Sequence, residues 1–160
     1  MTRATARDAV ATWIAPPNVP GLNTVFTSWP KLIDGADFTA NQPPGTASGT
    51  VAVVHIVHED EQRLAFGGEH GGWKRVTYTL TVQLFHRSVE LDATVAQDDF
   101  DAVVDALKAR IRADRTLGSP DVWQAAEETF TGDYGVPELT NDAIETWASV
   151  SFALTEMLPT

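Results

Sequence analysis

Between Trp73 and Arg87 the chain reads WKRVTYTLTVQLFHR. Val76, Tyr78, Leu80, Val82 and Leu84 fall on one face of an extended chain, and Arg75, Thr77, Thr79, Thr81 and Gln83 fall on the other. Side chains of a strand alternate faces, so the pattern predicts a strand half-buried in an antiparallel sheet, apolar side inward and polar side outward. Upstream, TVAVVHIV (Thr50 to Val57) is rich in β-branched residues and predicts a neighbouring strand. The glycine pairs Gly67-Gly68 and Gly71-Gly72 predict a turn or flexible loop between the two.

Working outward, the C-terminal AIETWASVSFALTEML alternates again. Ile144, Ala148, Val150, Phe152 and Leu154 share a face, with Thr146 as its polar exception. The period changes in QDDFDAVVDALKARIRAD, where Phe100, Val103, Val104, Leu107 and Ile111 form the single apolar stripe of a helix. Asp98, Asp99 and Asp101 fall in the first turn of this predicted helix, and Lys108, Arg110 and Arg112 near its end, as the helix dipole favours. Leu117-Gly118-Ser119-Pro120 breaks the pattern. DVWQAAEETFTGDYG is ambiguous and reads as a short turn of helix followed by a strand.

At the N-terminus, TARDAVATWIA places Ala6, Val10, Trp13 and Ile14 at helical spacing, and Pro16-Pro17 end the helix. The segment from Pro16 to Gly49 holds six of the nine prolines and reads as extended and irregular, with Leu22, Val25, Phe26, Trp29 and Leu32 as apolar anchors. The expected fold is α+β: a mostly antiparallel sheet with two main helices packed on one face and an extended hairpin arm. We expect one domain over residues 1–160. Residues 1–47 supply the N-terminal helix and the irregular proline-rich segment, and residues 48–160 supply the α+β core. No internal repeat is present.

Composition narrows the function. The chain has 160 residues, 43% of them hydrophobic, enough to bury a core. It has no cysteine, which excludes disulfides, thiolate metal sites and cysteine nucleophiles. Eleven basic residues against 22 acidic ones give a net charge of -11, and no basic patch stands out, which argues against specific nucleic-acid binding. MTRATARDAVATWIAPP has no long apolar run, so neither a signal peptide nor a membrane-spanning helix is expected, and a soluble protein made in the cytoplasm is.

Three of the four histidines, His55, His58 and His70, lie among carboxylates between Val51 and Lys74, which raises a metal site as a question. On a strand, an offset of three puts His55 and His58 on opposite faces unless a bulge intervenes. His58 and Asp60 share a face, but two ligands are too few for a structural or catalytic metal. No nucleophile elbow, phosphate-binding loop or dinucleotide fingerprint is present. Asp98-Asp99 reads as helix N-terminal charge, and Trp13, Trp29 and Trp147 as packing anchors. We therefore expect a non-enzyme with no catalytic residue, no metal and no cofactor. The stretch from His58 to Trp73 reads as a hairpin arm lying on a neighbouring molecule. Its interface candidates are Glu59, Asp60, Glu61 and Arg63, with Phe66 and Trp73 as aromatic anchors.

In order of elements the chain resembles the tail-terminator proteins of long, non-contractile-tailed bacteriophages. The resemblance rests on the N-terminal helix followed by PPNVPGLNTVFTSWP, the strand and glycine-containing hairpin, and RVTYTLTVQLFHRS. It continues through DDFDAVVDALKARIRAD, RTLGSPDVWQAAE and the closing ETWASVSFALTEML. It spans nearly the whole chain and includes no catalytic motif. It implies a virion protein at the head-tail junction, assembled in the host cytoplasm as a homohexameric ring. Such a ring caps the tail tube, ends its polymerisation and docks onto the head connector. Its partners are further copies of itself, the major tail tube protein and a head-tail stopper or connector protein, and DNA passes through the channel without specific binding. Alternatives are another neck protein such as a head-tail stopper, a small acidic protein-binding module, or an enzyme built on the histidines.

Overall fold

The computed structural model describes residues 2–43, 45–46, 48–64, 72–126, 129–140 and 142–159. In chain order its elements are α1 (Arg3–Ile14), β1 (Leu22–Phe26), α2 (Gly35–Thr39), β2 (Ser48–Leu64) and β3 (Trp73–Ser88). They continue with α3 (Ala93–Arg112), β4 (Gln124–Ala125), β5 (Thr131–Tyr134), β6 (Glu138–Leu139) and β7 (Ile144–Pro159). The fold is α+β, with a mostly antiparallel sheet of seven strands.

Three long strands make the frame. β3 is central, paired antiparallel with β2 on one side and β7 on the other, from Ser88 at one end to Trp73 at the other. The alternation seen in β3 sets this geometry. Val76, Tyr78, Leu80, Val82 and Leu84 are all buried, alongside Ala148, Val150, Phe152 and Leu154 of β7 and Ala52 and Val54 of β2. Onto this face α1 lays Ala6, Val10, Ala11 and Ile14, and α3 lays Phe100, Val103, Val104, Leu107 and Ile111. Burying one such large side chain contributes about 1.5–3 kcal/mol, so the single apolar layer is the main source of stability. The exception, Thr146, is buried too, and its hydroxyl donates to the Gly135 carbonyl at 3.2 Å.

The helices are fixed to each other as well as to the sheet. The Trp13 indole N–H donates to the Arg110 carbonyl at 2.7 Å, and the Arg110 guanidinium sits 3.6 Å from the centre of the Trp13 ring. Thr2 caps α1 through a reciprocal pair with Thr5. Asp92 caps α3, accepting from the amides of Thr94 and Val95. That cap starts α3 a turn earlier than the apolar stripe suggested. Asp98, Asp99 and Asp101 therefore lie beyond the first turn, whereas Arg110 and Arg112 do occupy the last. Asp114 then closes the turn after α3. Its carboxylate accepts from the Thr116 backbone and hydroxyl, both at 2.8 Å, and from the Gly118 amide, and these bonds hold it below the usual carboxylate range.

Two stretches differ from the sequence-based expectation. The proline-rich segment is not irregular throughout, since it contains α2 and the parallel edge strand β1. Asn23 explains how a parallel strand fits there. The register slips between Leu22 and Thr24, and the Asn23 side chain fills the gap, donating to the Ala40 carbonyl at 2.9 Å and accepting from the Thr50 amide at 2.7 Å. The segment from Asp121 to Gly135 contributes β4 and β5 and, among the described residues, no helix. Both strands lie along the outer edge of β7, where pairing to an existing long strand overrides weak local preference.

Candidate assembly surface

At its Gly49 end the second face of the sheet meets α2, whose Phe38 carbonyl sits against Gly49 of β2, and beyond that end no helix covers it among the described residues. The helical core residues all lie against the even-numbered side chains of β3 and β7, and the odd-numbered ones point away. Much of that outer face is a ladder of hydroxyls. Thr81 bonds Ser151 at 2.7 Å, and Thr77 bonds Thr155 at 3.3 Å. Aromatic residues bracket the ladder. At one end Trp29 reaches over from the segment after β1, its ring 6.3 Å from that of Phe85 and 5.4 Å from that of His55. Phe85 is the cross-strand partner of Trp147. At the far end stands Trp73. Trp29, Trp73 and Trp147 are 57%, 50% and 42% exposed, so the reading of Trp29 and Trp147 as packing anchors does not hold. Trp13 does anchor packing, between α1 and α3.

One edge is open as well. β1 covers β2 only from Thr50 to Val53, and among the described residues no strand pairs with the outer edge of β2 from Val54 to Leu64. The same length contains a bulge. Ile56 opposes Leu80 and His58 opposes Thr79, leaving Val57 as an extra, exposed residue. The bulge reverses the expectation for the histidines. His55 opposes Thr81 and His58 opposes Thr79, so both project from the outer face together with Asp60, which opposes Thr77. Even so, among the described residues no group of three or more His, Asp or Glu side chains could hold a metal ion. Burial lowers the His55 pKa, and a hydrogen bond involving the Val53 backbone offsets part of that shift.

The interface candidates separate into different environments. The same bulge turns Glu59 and Glu61 to the helical face. There Glu59 pairs with Arg3 of α1 and Glu61 pairs with Lys74 at 3.0 Å. The bulge likewise carries Asp60 to the outer face, which Trp73 shares, and Arg63 is exposed beside Lys74 at the end of the hairpin. Phe66 lies outside the described residues, as do Glu69 and His70. The hairpin is not a free two-stranded arm. β7 follows β3 up to the Trp73–Pro159 pair, so the extension is three strands wide.

Beneath α1 the helical face carries a polar cluster. Tyr78, buried, donates its hydroxyl to Glu156 at 2.9 Å, and burial followed by the Glu156 bond pushes the phenol pKa up. Sequence reasoning passed over His86. Extending the alternation of β3 two residues past Leu84 puts it on the core face, and it is there, 2% exposed. Its Nδ1 lies 2.9 Å from the Thr50 hydroxyl and its ring is stacked on Phe100 at 5.2 Å. Burial lowers its pKa to about 4, although the Asp99 charge works in the opposite direction.

No known protein family matches the chain, and no curated protein does either. Among the described residues no helix is long and apolar enough to cross a membrane.

Proposed function

We propose that the chain is a structural ring subunit of the tail-terminator kind. In this role it caps a phage tail tube, ends its growth and joins the tail to the head connector. The observation that supports the reading is the outer sheet face with its three exposed tryptophans, next to the unpaired edge of β2. Tryptophan is over-represented among the residues that carry binding energy at protein interfaces, and an unpaired strand edge is a template for a neighbouring chain. A monomeric protein gains nothing from leaving both uncovered. An enzyme reading lacks a comparable convergence of groups, since His55, His58 and Asp60 share a face yet, among the described residues, no three His, Asp or Glu side chains come together as metal ligands.

In this proposal Asp60, Arg63 and Trp73 are the candidates available to a neighbour. Glu59 and Glu61 serve within the chain, tying the hairpin to α1 and to β3. The net charge of -11 suits a channel wall over which DNA slides without sticking.

The test is the mass of the purified protein by light scattering, alone and mixed with a major tail tube protein, followed by negative-stain imaging. A six-fold ring, or a ring found only at tube ends, supports the proposal. A monomer that leaves the tube free to grow overturns it.

A further inference from the structure

A cleft of about 830 Å³ opens between α3 and two loops, the proline turn joining α1 to β1 and the segment joining α2 to β2. Its walls are largely apolar, with Pro16, Pro17, Pro20 and Pro43 on one side and Ala102 and Val103 on the other. His86 forms part of the floor and Asp99 stands on α3 at the wall. This volume lies in the range of ligand-binding clefts, roughly 300–1,000 Å³.

The polar groups of the cleft are unevenly spent. Each side-chain amide nitrogen is engaged by the protein: that of Asn23 with the Ala40 carbonyl, that of Asn41 with the Asn23 carbonyl and that of Gln42 with the Ser48 carbonyl. The Thr46 hydroxyl donates to the Pro43 carbonyl, and the Ser48 hydroxyl donates to Asp99 at 3.1 Å. What remains among the described residues is acceptor capacity at the amide oxygens of Asn41 and Gln42 and the second oxygen of Asp99, together with the buried Nε2 of His86, which has no hydrogen-bond partner. Among the described residues the lining contains no lysine or arginine, and Asp99 is its one carboxylate. His86 is neutral at physiological pH, so the floor adds no positive charge. Anions are therefore disfavoured, and a cation that donates several hydrogen bonds from an apolar stem is favoured.

We propose that this cleft receives the arginine side chain of a partner polypeptide, its aliphatic stem against the prolines and its guanidinium on Asp99 and the neighbouring amide oxygens. A planar guanidinium presents five donors, which suits several acceptors at once better than a lysine ammonium does. The inference rests on the cleft alone and stands whether or not the chain forms a ring.

The probe is arginine capped at both ends, titrated against the full-length protein by NMR, with the amides of Ala102 and Val103 as reporters. Capped citrulline, which keeps the shape and loses the charge, and free arginine are run in parallel. Saturable shifts with a dissociation constant near about 1 mM are expected for capped arginine, as befits a single side chain. Citrulline should bind at least about tenfold more weakly, and Asp99→Asn, which keeps the bond from Ser48, should remove a similar factor. Asp105→Asn lies on the same helix outside the cleft and should leave binding unchanged, which separates the site from general attraction to an acidic protein. No saturation by about 10 mM, or equal losses in the two variants, would overturn the proposal. Tighter binding of free than of capped arginine would overturn the assignment to a partner chain.

Discussion

His86 makes the fold sensitive to acid in a way that can be calculated. In the folded protein its pKa lies at about 4, because burial penalises the imidazolium, against about 6.5 in an unfolded chain. A depressed folded-state pKa means that the stabilisation is complete above pH 6.5 and is lost as pH falls toward 4. At pH 7 the folded state is neutral and only about a quarter of unfolded chains carry the proton, so the effect on stability is about 0.2 kcal/mol. At pH 5 nearly all unfolded chains have bound a proton there and about one folded chain in ten has, which lowers stability by about 2 kcal/mol. The ceiling, for a shift of about 2.5 units, is roughly 3.4 kcal/mol and is reached below pH 4. The assay is urea unfolding of the native chain and of His86→Gln at pH 7, 6 and 5. Glutamine can still reach the Thr50 hydroxyl but does not titrate. Every other ionisable group is common to both proteins, so the difference between their unfolding free energies should shrink by about 2 kcal/mol from pH 7 to pH 5. If the variant fails to fold, an NMR titration of the His86 ring in the native chain reads the pKa directly. A stability gap that does not move with pH, or a ring that titrates near 6.5, would refute the reasoning, because it would mean that water reaches the imidazole.

Other perturbations probe different parts of the structure. Phe100→Ala removes a ring that is 1% exposed and lies over His86, and should lower stability by about 3–5 kcal/mol in urea unfolding while returning the His86 pKa toward 6.5. Gly49→Ala would set a Cβ 1.9 Å from the Phe38 carbonyl oxygen, a contact with backbone that cannot swing away. A loss of about 3 kcal/mol is expected, and a neutral result would show that α2 does not sit against β2 as described. Gly135→Ala would place its Cβ 2.4 Å from the Trp147 indole nitrogen and should push that ring off the outer face. The expected readout is a changed tryptophan fluorescence with circular dichroism unaltered. Arg3→Ala breaks an exposed ion pair with Glu59 and should leave the urea midpoint almost unchanged, as is usual for surface pairs.

The parts of this fold that were legible in the sequence are those where one period runs unbroken. The core faces of β3, β7 and α3 could be read residue by residue, because each element is long and one-sided. What escaped was set by partners distant in sequence. β1 is five residues long and owes its place to the parallel edge of β2, and β4 and β6 are two residues each, strands only because β7 is there to pair with them. The start of α3 was misplaced because its first large buried residue, Phe100, comes about two turns after the Asp92 cap, with only the small Ala96 buried between them. At the candidate surface, Trp73 could be placed on the outer face from the alternation of β3 alone. Asp60 could not, and neither could Glu59 and Glu61, since a bulge one residue wide reverses the count. His86 was within reach, two residues beyond the point where the alternation was stopped.

That bulge has a consequence for how the chain can change over generations. β2 has 17 residues where β3 has 16, and Val57 is the surplus. Deleting it would let Ile56 and His58 follow each other in plain alternation, with Leu80 and Thr79 still opposite them and every other side chain still on its own face. Elsewhere in the strand, loss of a residue would carry its neighbours through the plane of the sheet. Position 57 is thus a point of tolerated length variation inside an otherwise length-locked hairpin, and related chains should differ by one residue there before they differ anywhere else along β2.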